Sequence, residues 1–179
     1  MPNLNGPRGF CLGLAALGSA WGAPALAQEP SARFAAEALR ICVGTRAAPA
    51  AVRQLAAAER WMPADSKALP GESSITVGGN PNVTYRPSNV WTLDKDGLPL
   101  TVLIYDVPAR PKMRHCEISA WDLDSDAVDR ALKSDPRVKG GFLEPGAGMR
   151  RYSVKKPNQI FRYGAGKRDS RTIHVLMAH

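Results

Sequence analysis

The segment RHCEISAWDLDSD, residues 114–126, sets His115 beside Cys116 and follows them with Asp122, Asp124 and Asp126. Residue types in this order support two chemistries. A thiolate beside a base is a nucleophile, and alternating carboxylates open a calcium loop. The spacing argues against both. MRHCEISAW alternates as a β-strand does, with Cys116, Ile118 and Ala120 on one side and Met113, His115, Glu117 and Trp121 on the other. His115 therefore points away from the sulfur it would have to deprotonate. The calcium loop fails where its geometry is strictest. The sixth position, which needs glycine, is Ala127, and the twelfth, which needs a bidentate glutamate, is Lys133. Asp126 reads instead as the N-cap of a helix over 126–134, with Leu123, Val128, Ala131 and Leu132 as its buried stripe.

Cys116 then needs a partner. Of the other cysteines, Cys11 lies in an N-terminal leader and Cys42 in SARFAAEALRICVGT, where Phe34, Ala38, Ile41 and Cys42 recur at helical spacing. Ser31 reads as the cap of this helix and Gly44 as its end. An apolar helix face carrying Cys42 and an apolar strand face carrying Cys116 suit a disulfide, which would close a loop of about 75 residues and contribute roughly 4 kcal/mol in the chain-entropy model.

The leader supplies the compartment for that bond. MPNLNGPRGF has one charged side chain, Arg8, and FCLGLAALGSAWGAPALA is apolar and ends in the small-x-small triplet Ala25-Leu26-Ala27. This pattern predicts a secretory signal peptide over residues 1–27. Gly13, Gly18, Gly22 and Pro24 weaken the run as a spanning helix. The expected product is one globular domain over 28–179, periplasmic or secreted, with no membrane span after cleavage. The Ala- and Arg-rich composition points to a bacterial periplasm.

Further helices and strands complete the expected frame. APAAVRQLAAAERW reads as a second helix, with Pro49 in its first turn and Pro63 beyond its end. One or two short strands flank the turn GGNPN. NVWTLDKDGLPLTVLIYDV is a hairpin around DKDG, and its second strand, apolar on both faces, reads as central. GGFLEPGAG reads as a glycine-rich connection, MRRYSVKK, QIFRYG and RTIHVLMAH as strands, and GAGKRDS as the last turn. Strands not interleaved regularly with helices indicate an α+β fold: one antiparallel sheet of about five to seven strands, two N-terminal helices and one later helix packed against it, stapled by the disulfide.

Charge is segregated along the chain. Residues 28–136 are nearly neutral, whereas residues 137–179 carry ten basic side chains against only Glu144 and Asp169. Arg150, Arg151, Lys155, Lys156, Arg162, Lys167 and Arg168, interleaved with Phe142, Tyr152, Phe161 and Tyr163, form a candidate anion-binding surface. Such basic faces also protect exposed strands from mispairing, and alternation places Arg151 on the side opposite Arg150. The expected partners are anionic envelope components (lipid head groups, lipopolysaccharide or cell-wall polymer) or another exported protein that pairs with a sheet edge. Nucleic acid is not expected.

The usual hydrolase, zinc-protease, phosphate-loop and dinucleotide signatures do not occur in the chain, and no cofactor is implied. The alternative reading is a small hydrolase or metal-dependent enzyme using His115 and His174, with Glu117, Tyr105 or Asp106 nearby if their strands are neighbours. His179, the last residue, reads as frayed. Trp61, Trp91 and Trp121 read as the rim of the core rather than as a ligand groove.

Overall fold

The computed structural model describes residues 29–65, 75–76, 84–106, 114–146, 148–155, 158–168 and 170–179. The expected leader over 1–27, the GGNPN turn and Lys156 lie outside them.

The chain begins with α1 (Pro30–Ala38), which runs into a π-helical turn over Leu39–Val43, and α2 (Pro49–Ala58) follows. The strands are β1 (Met62–Pro63), β2 (Ile75–Thr76), β3 (Thr84–Tyr85), β4 (Asn89–Lys95), β5 (Leu98–Asp106) and β6 (Arg114–Trp121). After α3 (Ser125–Ser134) come β7 (Val138–Leu143), β8 (Met149–Val154), β9 (Gln159–Arg168) and β10 (Arg171–Ala178). Eight strands form one antiparallel sheet in the order β1-β4-β5-β6-β10-β9-β8-β7, and β2 and β3 pair separately. The sheet thus has eight strands rather than five to seven. β7 was hidden in the glycine-rich connection, and β9 runs on to Arg168 through residues expected to form a turn.

Helix boundaries also differ from the expected ones, for local reasons. Glu29, not Ser31, caps α1 by accepting from the Ala32 amide at 3.3 Å. Ser31, the second residue of α1, is buried, and its hydroxyl accepts from the Asp124 amide at 3.3 Å. Asp124, not Asp126, caps α3, its Oδ1 accepting from the amides of Asp126 and Ala127 at 2.8 and 3.1 Å. Asp122 holds β10 instead: its Oδ1 accepts from the Thr172 amide at 3.0 Å and its Oδ2 from Arg171 Nε at 2.7 Å.

Alternation assigns the two faces of the sheet. Val102, Ile104, Ile118, Tyr152, Phe161, Tyr163 and Leu176 point to the helices, where Phe34, Ala38, Ile41, Val52, Val128 and Leu132 close the core. Cys42, in the π-helical turn, is bonded to Cys116 on β6, with a Cα–Cα distance of 5.3 Å and both residues fully buried. The opposite face carries a small cluster of Val90, Leu103 and Tyr105. β5 is therefore buried on both sides, as its unbroken apolar run suggested.

At the outer edge, β7 bulges against β8 between Gly140 and Phe142. Gly140 has φ +106°, and a Cβ there would lie 2.7 Å from the Arg151 carbonyl oxygen.

An ionic hub ties α2 to its surroundings. The Glu59 carboxylate accepts from Arg40 at 2.6 and 3.0 Å, from Trp61 Nε1 at 3.0 Å and from Lys95 Nζ at 3.1 Å. Partial burial alone would raise its pKa. The hydrogen bonds from Arg40, Trp61 and Lys95 outweigh that and bring it down to about 2. Between the ordinary glutamate value of 4.5 and about 2 the folded chain holds fewer protons here than the unfolded one. The stabilisation is therefore complete above that window and is lost as pH falls through it.

Urea unfolding of Glu59→Gln should show a loss of about 1–2 kcal/mol at neutral pH, with the gap to the parent closing as acid approaches pH 2. A gap independent of pH would mean that the charge is not what stabilises. Replacing both Cys42 and Cys116 by alanine should cost about 4 kcal/mol in the same assay, and the parent chain should show neither of these two thiols to an alkylating reagent after unfolding without reductant.

Candidate anion-binding face and histidine pair

The basic residues expected to act together are divided by strand parity. Arg151 and Arg162 stand directly opposite one another on β8 and β9, on the side away from the helices. Lys139 on β7 is registered with Ser153, one pair along on the same side. Phe142, registered with Arg151, is 78% exposed. Arg150 turns to the helix side, where Nη1 donates to the Gly141 carbonyl at 3.2 Å. Lys155 is exposed just beyond β8. Lys167 and Arg168 sit near the far end of β9, registered with Thr172 and Arg171, roughly 20 Å along the strand from Arg162 at the usual rise. One group, Lys139, Arg151 and Arg162, therefore occupies the helix-free face near β7, and a second group lies at the β9–β10 turn.

Like charges directly opposite on neighbouring strands repel. Glu144 relieves part of that repulsion by accepting from Arg162 Nε at 2.7 Å. That hydrogen bond holds the Glu144 carboxyl below its usual range, with further help from the charges of Arg162, Arg151 and His179. Arg151 remains exposed. Three cations against one carboxylate leave this end of the sheet positive.

The same face continues across β9 and β10 to a histidine pair. Ala178 is registered with Cys116 on one side and Phe161 on the other, so His179, the next residue, arrives beside His115. The two Nδ1 atoms are 3.0 Å apart and the ring centroids 4.6 Å apart. His179 is not frayed: its amide also donates to the Ile160 carbonyl at 3.4 Å. The residue as a whole is exposed, yet desolvation of its ring, reinforced by the nearby His115 and Arg162 and opposed by Glu144, lowers its pKa to about 4. His115 is 2% exposed and lies edge-on to Tyr105, with centroids 4.9 Å apart. Burial pushes the Tyr105 phenol up, and the Glu117 charge adds to the shift. His115 Nε2 has no hydrogen-bond partner among the described residues and lies 4.0 Å from Glu117 Oε2.

His115 and His174 do not come together. Their strands are neighbours, but His174 is registered with Ala120, five residues from His115 and on the helix side. There it is fully buried, with Nδ1 2.9 Å from the Tyr163 hydroxyl. Burial lowers the His174 pKa against the opposing pull of Asp122, the Leu123 backbone and Asp124. Burial likewise pushes Tyr163 up to about 12. This pair is sealed within the core and presents no group to a substrate.

The tryptophans rim the structure. Trp61 and Trp91 meet edge-to-face with centroids 6.1 Å apart, and Arg171 lies 4.9 Å over Trp121. An open cavity of about 340 Å³ borders Trp91, between residues 63–65 and 87–91. Its walls bring no histidine or cysteine to bear.

Sequence reasoning missed His179 because its partner depends on the register between β6 and β10, which alternation alone does not supply. It missed Lys139 because β7 was read as a connection. Among the described residues no helix is long and apolar enough to cross a membrane. No protein-family model, curated protein or solved structure matches the chain.

Proposed function

We propose that this protein is an exported, disulfide-stabilised α+β domain that acts by binding, and that it binds an anionic component of the cell envelope through the helix-free end of β7, β8 and β9. The Cys42–Cys116 bond suits an oxidising compartment, and the leader-like residues 1–27 supply the route.

The observation that carries the reading is the placement of Arg151 and Arg162 directly opposite one another, with Lys139 on the same side and Glu144 hydrogen-bonded to Arg162. Two guanidinium groups held against their mutual repulsion lose that penalty when an anion sits between them, and their planar donors match phosphate and carboxylate oxygens. Exposed Phe142 and Ile160 add apolar contact on the same side.

Retention on vesicles of anionic phospholipid should exceed retention on neutral vesicles and fall as salt rises. Arg151→Glu, at an exposed position, should reduce retention about ten-fold, equivalent to about 1.4 kcal/mol, without changing the unfolding midpoint appreciably. Equal retention on both kinds of vesicle, together with no affinity for soluble anionic polysaccharide, would remove the proposal.

A further inference from the structure

The histidine pair has a geometry that a hydrogen bond alone does not require. A straight N–H···N bond at this separation would hold the two imidazole centroids about 5.3 Å apart. They are 4.6 Å apart, with the rings inclined by 59°, so the contact is bent at one ring or both rather than meeting head-on. An ion roughly 2.0 Å from both nitrogens, with a nearly right-angled N–metal–N corner, would set the nitrogens about 2.9 Å and the centroids about 4.6 Å apart. The Nδ1 atoms are 3.0 Å apart.

From this close approach of the His115 and His179 Nδ1 atoms we infer a binding site for a divalent transition-metal ion such as copper(II), with the two Nδ1 atoms as adjacent ligands. A second observation supports it. The other nitrogen of His115, Nε2, is buried without a hydrogen-bond partner among the described residues and faces the Glu117 carboxylate at 4.0 Å. Metal-bound histidines commonly direct their remaining N–H to a carboxylate, which fixes the tautomer and strengthens the ligand.

The proton balance is simple. Without metal, one neutral ring donates its Nδ1 proton to the other. Coordination requires both Nδ1 lone pairs, so the donor ring moves its proton to Nε2 and neither ring changes charge. His115 then presents Nε2–H towards Glu117. Access is from the side of His179, which is exposed. Among the described residues no third His, Cys, Asp or Glu completes a ligand set, so water fills the other positions and the ion exchanges readily. Arg162, whose charge bears on His179, is turned to Glu144 at 2.7 Å, and Tyr105 borders the pair from β5.

The test is a copper(II) titration of the purified protein, disulfide intact, near neutral pH. One site per chain is expected, with electron paramagnetic resonance showing coupling to two imidazole nitrogens. His179→Ala removes one of the two ligands and should weaken that site at least ten-fold while the circular dichroism stays native. His115→Gln should also lose the two-nitrogen signature, and its folding is checked in the same way. An unchanged spectrum and affinity in His179→Ala would overturn the inference. So would failure of the parent to bind copper below about 100 μM, roughly −5.5 kcal/mol.

Discussion

The ladder between β6 and β10 makes one sheet out of two local meanders. β4, β5 and β6 pair in sequence order, and so do β7, β8, β9 and β10. Only β6 and β10, from Trp121↔Ile173 to Cys116↔Ala178, join the two groups. Such a contact closes a long loop before any of its hydrogen bonds form, which makes it costly to nucleate. The chain secures it at both ends. At one end Cys116 is bonded to Cys42 in the π-helical turn, and at the other Asp122 grips the Thr172 amide and Arg171. The RHCEISAWDLDSD segment therefore serves as the seam of the molecule: its cysteine and its first two aspartates each fasten a neighbouring element.

The same ladder explains why similar side chains have different fates. His174 and His179 lie on one stretch of chain, but an odd separation puts them on opposite sides of the sheet. One is sealed beneath the helices against Tyr163, and the other meets His115 on the helix-free side. Parity also separates Arg150 from Arg151. Which cations can act together is thus decided by a backbone property, with composition having little say in it.

Much of the frame was legible in the sequence because it depends on short-range pattern. The alternation of MRHCEISAW, the turn in DKDG and the helical spacing that turns Cys42 inward all correspond to observed elements. The features that escaped depend on longer-range relations. The Asp124 cap of α3 is also tied from afar, its amide donating to the Ser31 hydroxyl more than ninety residues away. β7 lacks an alternating signature because two glycines interrupt it, and its strand identity comes from pairing with β8. The histidine pair requires the register of β10, which no local window contains.

One consequence concerns the outer margin of the sheet. β7 ends in Phe142 and Leu143, 78% and 65% exposed, and a flat apolar edge of that kind would recruit strands from other molecules into cross-β aggregates. The bulge at Gly140 and Gly141 breaks the regular spacing of its outward amides and carbonyls. The glycines therefore make this rim, with its exposed aromatic and aliphatic groups, a poorer template for neighbouring chains than a regular strand would be.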